Sequence, residues 1–111
     1  MGRAKYVFNP QADVKVLFEF NGKHRYAIAD GFRTLHQMDD NLAVIGRHTF
    51  YCTQFVPPKG RANGEITFLA TDALPPCLWE GKYIPILEKG QIIGHAQVME
   101  TFNQSLVTEP K

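Results

Sequence analysis

The sequence has few of the features that mark several large classes of protein. No stretch shows a sustained helical spacing of apolar residues, and no apolar run is long enough to cross a bilayer. The start of the chain carries no h-region of a secretory signal peptide, and no internal repeat or low-complexity tract is present. These absences argue against a helical bundle, a membrane protein and a repeat protein, and they predict a soluble cytoplasmic protein.

Motifs for nucleotide, metal and nucleophilic chemistry are also missing. No Gly-x-x-x-x-Gly-Lys-Ser/Thr segment is present, so we expect no nucleotide to bind. The 4 histidines and 2 cysteines form no Cys-x-x-Cys, His-x-x-x-His or other close pair, so we expect no metal or other cofactor, and histidines that are exposed or hydrogen-bonded. Asp39 and Asp40 fall in a predicted turn, which explains them without acid catalysis. The sequence favours a non-enzymatic protein, with no catalytic residue, over a small enzyme or metalloprotein.

The charge of the chain is close to balanced. There are 12 Lys and Arg against 11 Asp and Glu, which gives a formal net charge of +1. Strong nonspecific binding to nucleic acid needs a marked basic excess, so we expect no DNA partner, although a local basic patch stays open. With 111 residues, of which 44% are hydrophobic, the chain can bury one core and predicts one domain.

The two cysteines are expected to be reduced because no secretion signal is present. Cys52 follows Phe50 in a predicted strand and shares a face with it, so we expect a packed thiol there. Cys77 lies in a proline-rich loop, where a thiol is more accessible. Whether the two thiols are close in space is left open by the sequence.

The first half of the chain alternates between strand patterns and turn signals. Val14 to Phe20 has apolar residues at every second position and predicts a strand. Asn21-Gly22 is a strong hairpin signal, which predicts that Lys23 to Ala29 returns antiparallel to that strand. Phe32 to Met38 reads as another strand, and Asp39-Asp40-Asn41 as the turn that follows it.

The middle of the chain gives a less regular pattern. Leu42 to Ile45 predicts a short strand or a loop that ends at Gly46, and His48 to Phe55 has a strong strand composition. Pro57 to Gly60 breaks this strand, and a polar loop passes through Asn63-Gly64. The next half-buried strand is carried by Ile66, Phe68 and Ala70.

The clearest hairpin lies between Leu78 and Met99. Lys82 to Glu88 alternates in polarity, and Lys89-Gly90 supplies a turn because glycine tolerates a positive φ. Pro85 donates no ladder hydrogen bond and therefore predicts an edge strand or a bulge. The second strand is predicted to place four residues on one face: Ile92, Gly94, Ala96 and Val98.

Six or seven short strands separated by turns indicate an all-β domain. Periodicity alone does not choose between a sandwich and a small closed barrel. We expect a leader over residues 1–11, one β domain over 12–102 and a polar tail over 103–111, since periodicity is lost at both ends.

Two short motifs in their order along the chain resemble a known family. Gly31-Phe32-Arg33-Thr34 is similar to Gly-Tyr-Arg-Pro in the C-terminal barrel of bacterial elongation factor Tu. Leu87 to Gly94 is similar to the Arg-Glu-Gly-Gly-Arg-Thr-Val-Gly hairpin of the same domain. The resemblance implies a six- to seven-stranded antiparallel β-barrel of the elongation factor Tu C-terminal domain type, over about Ala12 to Phe102 and without the GTPase domain.

The resemblance also implies a binding surface. In the family this barrel touches the T stem of transfer RNA, the GTPase domain and partner factors. Arg33 and Glu88 match family residues, whereas Lys89 replaces a glycine, Gln91 replaces an arginine and Leu35 replaces a glutamine contact. Lys89 and Gln91 fall at the RNA-facing tip. This departure and the balanced charge favour a protein partner, with transfer or ribosomal RNA as the alternative.

Basic residues beside aromatic ones add two further candidates, because stacking and phosphate neutralisation together can bind RNA. Arg25 precedes Tyr26, and Arg47 lies close to Phe50. Trp79 is interpreted either as a core residue or as an interface anchor. The candidate residues for binding a partner or RNA are therefore Arg25, Arg33, Arg47, Glu88, Lys89, Gly90 and Gln91.

Overall fold

Eight strands form in the part of the chain that the computed structural model describes, residues 11–69 and 71–110. The predicted leader lies outside the described residues except for Gln11. Short 3-10 helices occur at Thr71–Ala73 and Gln104–Leu106. The strands are β1 (Val14–Phe20), β2 (Ile28–Ala29), β3 (Arg33–Asp39), β4 (Leu42–Phe50), β5 (Phe55–Val56), β6 (Arg61–Phe68), β7 (Tyr83–Glu88) and β8 (Gln91–Thr101).

Six of these strands close into an antiparallel barrel. Their order around the barrel is β1-β6-β4-β3-β7-β8, and β8 pairs again with β1. The short strands β2 and β5 pair with each other as a separate two-stranded ribbon. The predicted all-β fold and closed barrel are confirmed. Periodicity alone left a sandwich or a barrel open, and the fold is the barrel. No helix in the described residues is both long and apolar enough to span a bilayer.

Strand β1 supplies the centre of the core. Val14, Val16, Phe18 and Phe20 alternate with partly or fully exposed residues and point into the barrel. The Phe18 ring meets the ring of Phe50 edge to face at 5.1 Å. Full burial of one such side chain contributes roughly 1.5–3 kcal/mol, so β1 accounts for a large part of the stability.

Asp13, just before β1, ties three strand ends together. Its carboxylate is buried and accepts hydrogen bonds from the Phe68 backbone N–H at 2.8 Å and from the Thr71 hydroxyl at 3.1 Å. The Asn103 side-chain amide donates to its other oxygen at 2.9 Å. A buried carboxylate with these donors fixes where β1, β6 and the segment after β8 meet.

The hairpin predicted at Asn21-Gly22 is wrong. Strand β1 pairs with β6 and β8, and residues 23–27 form no strand. The Asn21 side chain donates to the Ile92 carbonyl at 2.9 Å, and the Gly22 N–H donates to the Pro58 carbonyl at 2.8 Å. The turn groups are therefore used for contacts with distant loops.

The predicted break at Gly46 is also wrong, because β4 runs through it to Phe50. A Cβ on Gly46 would lie 2.7 Å from the Ile66 side chain and 2.9 Å from the His36 ring. The glycine allows close packing inside the barrel. The strand predicted from His48 to Phe55 ends early, at Phe50, whose N–H donates to the Asp30 side chain at 2.8 Å.

Strand β6 passes through Asn63-Gly64, where a loop was predicted. A Cβ on Gly64 would lie 2.9 Å from the Phe18 ring, so this glycine also provides close packing rather than a turn. The predicted break over Pro57 to Gly60 is confirmed, since the Gly60 N–H closes a turn on the Pro57 carbonyl at 2.8 Å.

The β7–β8 hairpin is confirmed with one change of face. Lys89 (φ 52°) and Gly90 (φ 77°) form its turn. A register shift between Ile86 and Leu87 leaves Ile93 as an extra, buried residue and turns Ile92 outward, so the prediction for Ile92 is wrong. Gly94, Ala96 and Val98 face inward as predicted.

Pro85 lies in a closed barrel, so its strand is not an edge. It directly precedes the register shift in β7, which agrees with the alternative prediction of a bulge. The β3–β7 ladder has only two registered pairs, Leu35 with Leu87 and His36 with Ile86. Pro85 lies outside that ladder and is paired with His95 of β8.

The environments predicted for the two cysteines are reversed. Cys77 is buried, because its N–H donates to the Leu106 carbonyl at 2.8 Å and the proline-rich segment is drawn against the barrel. Cys52 is exposed, since β4 has already ended. No disulfide joins the two cysteines. Leu106 is itself buried, so the segment predicted as a polar tail adds a residue to the core.

Candidate functional site

The β3–β4 hairpin has an inverted distribution of polar and apolar side chains. His36 and His48 point into the barrel and are fully buried, whereas Leu35 and Ile45 point outward and are 41% and 40% exposed. Sheet residues alternate between the two faces, so the sequence itself determines this inversion. Exposed apolar residues that lie together are a mark of interaction sites.

The outward apolar residues line up across four strands. Cross-strand register places Ile45 opposite Leu35, Leu35 opposite Leu87, and Leu87 opposite Ile92. Ile92 is 43% exposed and Leu87 is partly buried. Directly opposite residues share a face and lie close enough for their side chains to touch. We call Ile45, Leu35, Leu87 and Ile92 the apolar row.

Basic residues flank the apolar row on one side. Arg33 and Arg47 lie at the next outward positions of β3 and β4 and are directly opposite each other. Lys89 is exposed in the turn that follows β7. Like charges directly opposite each other in a sheet repel. We call Arg33 and Arg47, with Lys89 at their end, the basic row.

Glu88 is engaged by a residue that the sequence did not single out. The His24 Nδ1 lies 2.6 Å from the Glu88 Oε1, and both side chains are partly buried. The His24 ring also packs edge to face on Phe32 at 5.4 Å. The Thr34 hydroxyl donates to the Leu87 carbonyl beside them. These contacts hold the hairpin tip against the start of β3, and no sequence spacing relates His24 to Glu88.

The other predicted residues lie at the same end of the barrel. Gly90 and Gln91 are exposed in and after the β7–β8 turn. Arg25 is exposed, and its guanidinium lies 5.9 Å from the centre of the Tyr26 ring, which is 66% exposed. All seven candidate residues thus lie at or near the end where β3 begins and β7 meets β8, and Arg33 and Arg47 are directly opposite each other.

The near-neutral net charge conceals a separation of charge between the two ends of the barrel. The end with the β7–β8 turn carries the exposed basic residues Lys23, Arg25, Lys59 and Lys89 and fewer exposed acids, namely Glu19 and Asp30. The opposite end carries the exposed residues Asp39, Asp40, Asp72 and Glu80. Charge balance over the whole sequence therefore does not describe the candidate site, which is basic.

The buried histidines form a pair that sequence spacing did not reveal. The Nε2 atoms of His36 and His48 are 2.8 Å apart, so one ring donates and the other accepts a hydrogen bond. Phe18 packs 4.5 Å from the His48 ring and Phe68 packs 5.9 Å from the His36 ring. The sequence predicted histidines that are exposed or hydrogen-bonded. His36 and His48 are hydrogen-bonded to each other, and both are fully buried.

Burial keeps this pair neutral. Desolvation lowers the pKa of His36 to about 4, although backbone groups of Thr34 and Val44 offset part of the shift. Desolvation, together with repulsion from His36, lowers the pKa of His48 well below its usual value. The Nδ1 atoms make no hydrogen bond of good geometry. In the described residues no group of three or more His, Cys, Asp or Glu could hold a metal ion.

Trp79 lines a surface cleft at the acidic end of the barrel. The Lys82 ammonium lies 4.5 Å above its ring and donates hydrogen bonds to the carbonyls of Cys77 and Met38. Trp79 is partly buried. Its ring is therefore covered by a cation–π contact within the chain. The sequence allowed a core residue or an interface anchor, and the partly buried Trp79 fits neither interpretation fully.

Comparison of the sequence with known protein families and with curated proteins finds no match. The resemblance to the elongation factor Tu barrel accordingly depends on the two motifs given above.

Proposed function

We propose that this chain is a non-enzymatic binding module whose partner is a protein, and that the partner docks on the apolar row. The observation that supports this is the register of Ile45, Leu35, Leu87 and Ile92, which forms a continuous outward-facing apolar strip on four strands. The barrel leaves Leu35, Ile45 and Ile92 40–43% exposed, and a protein partner would bury this remaining apolar surface.

The chemistry of the strip favours protein over RNA. Single-stranded RNA is recognised by stacking bases on aromatic side chains or Arg planes, and all four residues of the apolar row are aliphatic. Aliphatic side chains pack instead against the apolar side chains of another protein. The departures of Lys89 and Gln91 from the elongation factor Tu hairpin point the same way.

The proposed module resembles a translation-factor barrel. In that family the corresponding barrel is a docking surface for other proteins as well as for transfer RNA. The proposal includes a cytoplasmic location, where cysteines that form no disulfide are usual.

Cross-linking in the source cell tests the proposal. We expect the wild-type chain to cross-link to a defined protein, and the variant L35T/I45T to lose that product, because threonine keeps strand propensity but removes the apolar contact. The matched control is M99T, which changes a similarly exposed residue (44%) of β8 outside the apolar row. A product that survives L35T/I45T would overturn the proposal.

RNA is the second candidate, and the exposed Arg25–Tyr26 contact at the basic end favours it. RNA sequencing of the same cross-linked material tests this reading. Enrichment of transfer or ribosomal RNA that is lost in R25E and retained in L35T/I45T would support RNA binding and contradict docking on the apolar row. Loss of affinity with rising salt would be steep in that case.

A further inference from the structure

Three chain segments close the end of the barrel at which β7 meets β8, and their charge is mostly positive. They are residues 21–32, 51–60 and 89–90, which connect β1 to β3, β4 to β6 and β7 to β8, and all of them lie within the described residues. The charged residues of these segments are the basic Lys23, Arg25, Lys59 and Lys89 and the acidic Asp30. An anionic surface is therefore attracted to this end.

The connections at the opposite end have the reverse composition. Their described residues carry the acidic Asp40, Asp72, Glu80 and Glu109 and the basic Lys82. An anionic surface is repelled from that end, so the distribution of charge also fixes how the barrel would stand on such a surface.

The basic end also presents the two most exposed aromatic side chains among the described residues. Tyr26 is 66% exposed and Phe55 is 60% exposed. Pro57 is exposed two residues after Phe55, while Val56 between them is buried. Apolar side chains therefore project from the same segments that carry the cations.

Contacts between the segments hold this end in one arrangement. The Gly22 N–H donates to the Pro58 carbonyl at 2.8 Å, and the Asn21 side chain donates to the Ile92 carbonyl at 2.9 Å. A Cβ on Gly22 would lie only 2.7 Å from the Lys59 Cγ, so the stem of Lys59 lies against the first segment. The surface is therefore largely formed before a partner arrives, which lowers the entropy cost of binding.

We infer that this end of the barrel binds the surface of an anionic lipid bilayer, with Tyr26 and Phe55 in the headgroup region. We call the surface the basic cap, formed by Lys23, Arg25, Tyr26, Phe55, Lys59 and Lys89. The inference goes beyond the proposed function, because the apolar row lies on the side of the barrel. The contact needs no membrane-spanning segment, and the cytoplasmic leaflet supplies anionic headgroups.

The chemistry of the basic cap favours lipid over RNA. RNA bases stack on flat rings and Arg planes, so they gain little from Pro57, whereas the hydrocarbon boundary accepts phenylalanine and proline alike. The cations lie on three separate segments, and one extended anionic surface can meet all three together.

Sedimentation of the full chain with vesicles tests the inference. We expect binding to phosphatidylcholine vesicles that contain about one third phosphatidylserine, weakening as salt rises, and no binding to phosphatidylcholine alone. K23Q/K89Q should bind about fivefold more weakly for each lysine removed. The matched control N41D/A73E lowers the net charge equally at exposed positions of the opposite end and should bind like the wild type. Equal losses in both variants, or equal binding to both kinds of vesicle, would overturn the inference.

The single tryptophan of the chain makes the orientation measurable. Trp79 lies at the acidic end, so brominated anionic vesicles should quench the fluorescence of F55W and leave that of the wild type unchanged. F55S should bind about tenfold more weakly, because it removes apolar burial and no charge. The control Y83S changes an aromatic residue of β7 that is 58% exposed outside the basic cap, and it should bind like the wild type. Binding of F55W without quenching would overturn the inference.

Two further results separate the basic cap from the other surfaces. L35T/I45T should bind vesicles like the wild type, and loss of vesicle binding in this variant would overturn a surface distinct from the apolar row. A single-stranded oligouridine is the probe for RNA. If it binds the wild type and K23Q/K89Q weakens it, while anionic vesicles do not bind, the basic cap is an RNA surface and the inference is wrong.

Discussion

Along β1, apolar residues such as Val16 and Phe18 point inward while Lys15 and Glu19 point outward, whereas on the β3–β4 hairpin Leu35 and Ile45 face outward and His36 and His48 face inward. Both regions belong to the same closed barrel and the same ladder system. The strand β1 follows the rule that relates polarity to burial, and the β3–β4 hairpin reverses it at four positions.

The difference shows that β1 mainly stabilises the core, whereas the β3–β4 hairpin presents an apolar outer surface. β1 contributes apolar burial, and Asp13 at its start has hydrogen-bond donors for both carboxylate oxygens. The hairpin forgoes part of that burial, because it exposes two aliphatic side chains and encloses two imidazoles. Local departures from folding rules are concentrated where function requires them, so the hairpin is where a function is expected.

Truncation of a core residue of β1 should have the largest effect. We expect F18A to lower the free energy of unfolding by about 3–5 kcal/mol, because it leaves a cavity among Phe20, His48 and Phe50. Urea denaturation of wild type and variant measures the loss. A change below about 1 kcal/mol would mean that β1 does not dominate the stability, which would contradict the contrast drawn between β1 and the β3–β4 hairpin.

Acidification should destabilise the hairpin more than any other region. The pKa of His36 is about 4 in the folded chain against 6.5 when unfolded, so the unfolded chain binds protons first as the pH falls. Stability is therefore full above pH 6.5, falls below it and reaches its full loss near pH 4. For His36 this amounts to about 3 kcal/mol. Urea denaturation at several pH values between 7 and 4 measures it.

The control for this pH dependence is H36L/H48L. Leucine is apolar and removes both imidazoles together, so no unpaired buried donor remains. We expect a stability at pH 7 close to that of the wild type and a flatter profile down to pH 4. If the double variant loses stability with falling pH as much as the wild type does, the pH dependence comes from carboxylates elsewhere and not from the two histidines.

Removal of the Asp13 carboxylate should have the next largest effect. D13A leaves the Phe68 N–H and the Asn103 amide without this acceptor, while the Thr71 hydroxyl can still donate to the Phe68 carbonyl at 3.0 Å, and we expect a loss of about 2–3 kcal/mol. D72A is the matched control, because Asp72 is exposed and its change should stay within about 0.5 kcal/mol. Equal effects of both variants would contradict the role given to Asp13.

The smallest effect on stability is expected on the outer face of the hairpin. L35T and I45T should each change the free energy of unfolding by about 0.5 kcal/mol or less, since the two side chains are exposed and threonine suits a strand. The same variants should abolish the cross-linked protein product. Large destabilisation by either variant would mean that the apolar row supports the barrel rather than a partner.

Much of the barrel follows from two-residue periodicity and turn chemistry. The alternation in Val14–Phe20 and the Lys89-Gly90 turn predict β1 and the β7–β8 hairpin, since both signals are local. The errors at Asn21-Gly22, Gly46 and Asn63-Gly64 have one cause. Turn-forming residues were interpreted from local preference, while the groups of Asn21 bond to β8 and the two later glycines permit close packing between strands.

The candidate site was less accessible from the sequence. The apolar row exists only through the registers of three ladders, so no single segment reveals it. His36 and His48 are separated by a turn, and only the β3–β4 pairing places their Nε2 atoms together. Arg33 and Glu88 were found by resemblance, but the contact between His24 and Glu88 joins residues far apart in the chain. Leu35, which stands where the family has a glutamine, was the sequence signal most closely related to the apolar row.

The short β3–β7 ladder affects how the barrel opens. Two registered pairs hold this boundary, and Pro85 cannot donate a further hydrogen bond to it. We therefore expect the first sub-global opening to occur here, with amides of β3 and β7 exchanging their hydrogens sooner than those of β1. Such an opening would expose two unpaired strand margins that carry Leu35 and Leu87, so a chain without its partner would be most prone to aggregate along this boundary.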